Sequence, residues 1–168
     1  MLQCADIALY EAKGKAKGEG QISLFETQME ARVKRRTLIE HALANPQRIA
    51  ALQLQYQPIF TLRTNQLVGY EALARWSHPA LGEIAPSEFI DVAERSGKAR
   101  MLTLHLFRKA VADALSWPDD LSLSFNLSGS GLCTAGFEVS LPQIADELGF
   151  STSRLVLEVT ETALLADP

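Results

Sequence analysis

The chain has 168 residues, 47% of them apolar and 21% charged, with a net charge of −4. This fits one ordinary domain with a buried core, and the mild charge gives no electrostatic reason for a nucleic acid polymer or an anionic membrane as partner. No apolar run approaches the ~20 residues that cross a bilayer, and neither end carries a signal peptide. Cys4 and Cys133 lie far apart with no CxxC, which reads as thiols in a reducing cytoplasm and not as a disulfide framework.

Residues 5 to 17 have helical spacing of Ala5, Ala8, Leu9 and Ala12, and Gly14, Gly18 and Gly20 end that run. Lys13, Lys15 and Lys17 read as a solvated face. Residues 26 to 44 carry the clearest helical pattern, with Thr27 and Glu30 spaced as a capping box. Met29, Val33, Leu38, Ile39, Ala42 and Leu43 make its apolar stripe, and Asn45-Pro46 is expected to stop it. A long helix between dissimilar segments reads as a linker, its stripe packing on a neighbouring surface or making a dimer contact.

Residues 51 to 60, ALQLQYQPIF, alternate Leu52, Leu54 and Tyr56 with Gln53, Gln55 and Gln57, a strand pattern. TLRTNQ is a turn, LVGYEALARW a second strand, and HPALGEIAP a loop. Pro86 opens a helix that Gly97 ends, and a second helix runs near 98 to 116. LSLSFNLS (121–128) is a third strand, LPQIADELGF a helix closed by Gly149, and RLVLEVTE (154–161) a fourth strand. After the first hairpin, strands and helices alternate, which predicts an α/β fold with a parallel sheet. The opening MLQCADIALYEAKGK and the closing ETALLADP both read as interrupted elements, so a piece of a longer polypeptide is expected.

The second strand places two charges, Glu71 and Arg75, in an otherwise apolar run, and a buried charge needs a partner. Strand side chains alternate between faces. Glu71 and Arg75 therefore share a face with Leu67, Gly69 and Leu73; Asn126 shares one with Ser122 and Ser124; Glu158 shares one with Val156 and Thr160. Three successive strands thus present Glu71, Asn126 and Glu158. In parallel α/β sheets and barrels, active sites lie at the carboxyl ends of strands. Two carboxylates and an amide, without thiolate or imidazole, suit a hard cation such as Mg²⁺ or Mn²⁺ better than zinc. The other reading is polar strand ends satisfied by backbone or water. Arg75 alone reads equally as an ion pair or a phosphate contact. His41, His78 and His105 have no ligand spacing.

YQPI (56–59), YEALARWSHPALGEIAPSEFIDVAERSG (70–97), NLS (126–128) and LEVTETALLADP (157–168) occur in order. Together they resemble the first half of an EAL domain, the bacterial phosphodiesterase module that acts on cyclic di-GMP. ADIALYEAKGKAKGEGQISLF resembles the tail of a GGDEF domain, with a Lys-Gly-Glu stretch where that family usually has Arg-Asn. The resemblance implies three segments: a GGDEF remnant over 1–25, a linker helix over 26–46, and the amino-terminal half of an EAL domain over 47–168. The implied fold is a partial (β/α)₈ barrel of the TIM type.

The resemblance also implies roles. Glu71, Asn126 and Glu158 correspond to metal ligands; Glu161 corresponds to a glutamate that anchors a loop near the metals and the dimer interface. Arg75 corresponds to the arginine on a substrate phosphate, and Gln57 and Leu73 line the substrate cleft, although Gln57 reads as well as a plain strand-surface residue. The implied reaction is hydrolysis of cyclic di-GMP to pGpG with two Mg²⁺ or Mn²⁺ ions. The family's Asp-Asp-Phe-Gly motif and its later lysine, glutamate and glutamine have no counterpart here, and a complete barrel takes roughly 250 residues. The chain by itself is therefore expected to be inactive. The alternative is a degenerate module serving as cyclic di-GMP receptor or dimerisation scaffold. An exposed edge strand would favour homodimers or other self-association. A cytoplasmic location is expected, with any membrane anchor in upstream domains.

Overall fold

The computed structural model describes residues 27–128 and 137–159. The chain divides into two compact units, Met1–Ala42 and Leu43–Pro168. Helix α1 spans Thr27–Leu43, all but its last residue within the first unit. Met29, Ile39 and Ala42 of its stripe are buried, while Leu38 is exposed. Glu30 pairs with Lys34 one turn on, at 2.6 Å. The expected GGDEF remnant, Thr160 and Glu161 lie outside the described residues.

The second unit begins with an element that the sequence pattern does not announce. Asn45-Pro46 stops α1 and also starts a short helix, α2 (Pro46–Ala50). The Asn45 side chain accepts from the Gln47 amide at 2.9 Å, and Pro46 occupies the first turn, where its missing N–H costs nothing. Strands β1 (Gln53–Phe60) and β2 (Leu67–His78) then form an antiparallel hairpin. Asn65 takes the left-handed conformation in its turn, at φ 52°. HPALGEIAP contains a short strand, contrary to its reading as a loop: β3 (Gly82–Ile84) folds back antiparallel on the end of β2.

Helices α3 (Pro86–Arg95) and α4 (Ala99–Ala114) lead to β4 (Ser122–Leu127), parallel to β2. Helix α5 spans Phe137–Glu147, starting earlier than its apolar pattern suggests and running through Pro142, which forfeits one helical hydrogen bond. A single 3₁₀ turn (Thr152–Arg154) then enters β5 (Leu155–Val159), parallel to β4. Gly97 and Gly149, at φ 69° and 76°, supply the left-handed residues that close α3 and α5.

The sheet order is β1-β2-β4-β5, with β3 on the end of β2. This is the expected α/β architecture, part of the wall of a β/α barrel. One face of the sheet carries the core. Trp76 meets Phe89 of α3 edge-on at 5.5 Å, and Phe107 of α4 meets Phe125 of β4 at 5.2 Å. Leu121, just before β4, and Leu123, Phe125 and Leu127 within it are all buried. A side chain of this size contributes about 1.5–3 kcal/mol when fully buried. Helices α4 and α5 are cross-linked by Arg108 donating to Glu147 at 3.1 Å and Arg100 to Ser140 at 3.2 Å.

Two polar clusters fix the edges of this core. On β1, Tyr56 donates to Asp113 at 2.7 Å, and Trp117 meets Tyr56 edge-on at 5.0 Å and Tyr70 at a tilt at 4.9 Å. At the start of β5, Arg154 donates to the carbonyls of Leu121 (2.9 Å), Pro118 (3.0 Å) and Ala114 (3.4 Å) and to Asp119 (3.2 Å). Its guanidinium also lies over the Phe150 ring at 4.8 Å. This ties the entrance of β5 to the loop between α4 and β4.

Candidate functional site

The other face of the same sheet is polar, and strand register explains why. In β1, Gln53, Gln55 and Gln57 stand opposite Arg75, Leu73 and Glu71. Across β2, Glu71 stands beside Ser124 of β4. Across β4, Asn126 stands beside Glu158 of β5. Residues in register point to the same side of a sheet. Strand pairing therefore gathers Glu71, Asn126 and Glu158 on one face with Arg75, Gln57 and Leu73.

The side chains interact in a pattern centred on β4. Asn126 Nδ2 donates to Glu71 Oε1 at 2.6 Å. Two residues earlier on the same face, the buried Ser124 hydroxyl donates to Glu158 Oε1. The central strand thus supplies one neutral donor to each flanking carboxylate. Such bonds hold acceptors in place and lower the cost of gathering two negative groups. Ser124 is a contributor to which sequence reading gave no role, although parity had placed it on this face.

Arg75 is held by two neutral acceptors. Its Nε donates to Gln55 Oε1 and its Nη1 to the Ala74 carbonyl, both at 2.9 Å. Among the described residues it meets no carboxylate within ion-pairing distance. Leu73 presents an apolar side chain between Glu71 and Arg75. Gln57 is exposed in the register position next to Glu71. Glu161 lies outside the described residues.

A crevice of about 50 Å³ opens beside Asn126 on the helix side of the sheet, between α3, α4 and β4. A water molecule's share of liquid is about 30 Å³, so a nucleotide does not fit there. The polar sheet face is the candidate site.

The donor set on that face is oxygen-only: two carboxylates and one amide. No group of three or more His, Cys, Asp or Glu side chains with metal-holding geometry occurs among the described residues. Oxygen donors suit hard divalent cations that complete a shell with water or substrate oxygens, so Glu71, Asn126 and Glu158 fit such an ion as a partial shell. Asn126 would have to turn its amide oxygen, in place of its nitrogen, toward the ion. Among the described residues no helix is long and apolar enough to cross a membrane.

Comparison with known proteins agrees with the geometry. The uncharacterized protein y4lL of Sinorhizobium fredii is 36% identical over 167 residues, covering 99% of this chain and 20% of its own length. The biofilm architecture maintenance protein MbaA of Vibrio cholerae is 32% identical over 166 residues, covering 96% of this chain and 21% of its own length. Among solved structures, the PaMucR phosphodiesterase in complex with c-di-GMP matches with a TM-score of 0.70 at 30% identity. That match covers 77% of this chain and 54% of the other. The FimX EAL domain from Pseudomonas aeruginosa bound to c-di-GMP matches at 0.64 and 22% identity, a likeness of fold alone. The chain spans about a fifth of these curated relatives and about half of these solved chains. The sequence pattern of the EAL domain matches residues 35–168, most of the chain, and the protein belongs to the EAL domain family.

Proposed function

We propose that this chain forms one wall of a cyclic di-GMP phosphodiesterase site that hydrolyses one phosphodiester bond of the ligand to give pGpG. The observation that carries the reading is the placing of Glu71, Asn126 and Glu158 on one sheet face, with Arg75 on the same face and, among the described residues, without a carboxylate partner. Glu71, Asn126 and Glu158 would hold a divalent cation, Mg²⁺ or Mn²⁺. When bound, the cation supplies a more acidic water and neutralises charge on the phosphate. Arg75 contributes a charge-assisted hydrogen bond to a phosphate oxygen. Leu73 offers an apolar surface between the two charged groups, and Gln57 offers an amide beside Glu71.

The 168-residue polypeptide is proposed to lack turnover by itself, since it spans only about half of the solved relatives. Three further oxygen donors are needed to complete a six-fold shell around a small hard cation. We place residues 1–25 at the end of a GGDEF domain on the resemblance of ADIALYEAKGK, and the whole in the cytoplasm. Among the described residues β5 pairs only with β4, and Val156, Leu157 and Val159 are exposed along it. Self-association through that edge is the partner reading that follows.

The test is hydrolysis of cyclic di-GMP by the longer protein, with Mg²⁺ or Mn²⁺ added or chelated. Cation-dependent formation of pGpG is expected, with a loss of about 100-fold or more in Glu71→Ala, in the range of other groups that stabilise transition-state charge. Tight binding of cyclic di-GMP without turnover would replace this reading with a receptor or scaffold. Turnover by the 168-residue polypeptide would overturn the half-site proposal.

A further inference from the structure

Gln55 has no role in the chemistry proposed above, yet among the described residues it makes the side-chain contact that holds Arg75. Its Oε1 accepts from Arg75 Nε at 2.9 Å, while Arg75 Nη1 is held by the Ala74 carbonyl at the same distance. An arginine side chain has four rotatable bonds and loses about 2 kcal/mol of rotamer freedom when fixed. Two anchors on different nitrogens fix both the position and the plane of the guanidinium. They also leave Nη2, with two N–H donors, without a partner among the described residues.

We infer that Gln55 is a positioning residue for the phosphate contact of Arg75. The inference rests on the cyclic di-GMP reading of the site. Strand register makes the arrangement possible. Gln55 stands opposite Leu73, one alternate position from both Arg75 and Glu71 on the shared face. A neutral amide acceptor is the chemistry this role needs. It orders the guanidinium without cancelling its charge, whereas a carboxylate at the same place would form a closed ion pair and compete with phosphate. The free Nη2 leaves a charge-assisted donor for a phosphate oxygen.

Two readouts test this, the first on the 168-residue chain and the second on the longer protein. In ¹⁵N NMR the Arg75 Nε–H, assigned by its loss in Arg75→Lys, should exchange slowly with solvent. Gln55→Ala should speed that exchange at least about tenfold, the scale of one lost hydrogen bond to a charged group, while thermal melting stays unchanged because Gln55 is exposed on β1. In calorimetric titration with cyclic di-GMP, Gln55→Ala should weaken binding about fivefold to tenfold. Gln55→Glu should keep the slow Nε–H yet weaken binding further. If the unsubstituted longer protein binds cyclic di-GMP and both variants bind it equally well, the inference falls and the reading of the site stands. If the 168-residue chain shows a slow Nε–H and the longer protein does not bind cyclic di-GMP, the reading of the site falls, and the phosphate role of Gln55 falls with it.

Discussion

The two faces of the sheet are built from the same strands and differ in almost everything else. On the helix side, Trp76, Leu123 and Phe125 are buried against aromatic and aliphatic partners from α3 and α4. On the site side, polar groups meet polar groups: Asn126 bonds to Glu71, Ser124 to Glu158, and Arg75 to Gln55. A single residue step along a strand moves a side chain from one regime to the other. Stability is therefore concentrated on one parity and ligand chemistry on the other. Substitutions should separate along the same line: the helix face governs unfolding, and the site face governs binding.

The largest effect is expected where the core is tightest. Phe107 is fully buried and packs edge-on against Phe125. Phe107→Ala should cost about 3–5 kcal/mol in denaturant unfolding, enough to unfold much of the chain at ordinary temperature. A loss below about 1 kcal/mol would mean that the helix face does not carry the stability. Arg154 comes next, because its side chain is only 13% exposed and satisfies three backbone carbonyls. Arg154→Ala leaves those acceptors without their donor and should cost about 2–3 kcal/mol, with hydrogen exchange rising first at the start of β5.

Gly69 tests how closely the faces are joined. A Cβ there would meet the Ser122 hydroxyl and come within 2.5 Å of the Ser122 carbonyl oxygen. That hydroxyl already donates to the Val68 carbonyl at 3.0 Å. Gly69→Ala should force β2 and β4 apart and cost about 1–3 kcal/mol. It should also disturb the Glu71–Asn126 bond, since both residues depend on the β2–β4 register. A smaller effect belongs to Tyr56. Burial first, then its hydrogen bond to Asp113 and the nearby negative charge, push the Tyr56 phenol above its ordinary value of 10.0. Below that value both folded and unfolded chains keep the proton. Above it the unfolded chain releases the proton first, so stability falls as pH rises. Tyr56→Phe should cost about 1 kcal/mol at pH 7 and flatten the loss above pH 10 measured by base titration of unfolding.

Much of this division is legible in the sequence, because parity in LVGYEALARW and LSLSFNLS needs no tertiary information. The alternation of Leu54 and Tyr56 with glutamines is equally local. Contacts that depend on register are not legible. Gln55 meets Arg75 across a hairpin whose offset is set by the turn over residues 61–66, where the Thr61 amide donates to the Gln66 carbonyl at 2.9 Å. Ser124 meets Glu158 across a parallel pair joined by a helix. Elements were misread where one residue has two meanings. Proline both ends a helix and begins the next, which hid α2, and GEI is too short for a period to show. The pattern RLVLEVTE marks Arg154 only as the first residue of a strand, since its partners come from the loop before β4, more than thirty residues away.

The smallest expected effect on stability falls at the residue most central to the proposed site. In Glu71→Gln an amide oxygen replaces the carboxylate oxygen that accepts from Asn126 Nδ2 at 2.6 Å. The shape is kept, and the bond changes from charged to neutral acceptor. Ser124 still holds Glu158 on the neighbouring strand, so no other polar group is abandoned. Unfolding should therefore shift by no more than about 0.5 kcal/mol, the range of substitutions that leave packing intact. Binding of Mn²⁺, followed by its paramagnetic broadening of nearby resonances, should weaken sharply, because an amide brings no negative charge to a hard cation. A large loss of stability in Glu71→Gln would place Glu71 among the residues that hold the sheet together, and the separation of the two faces would not survive it.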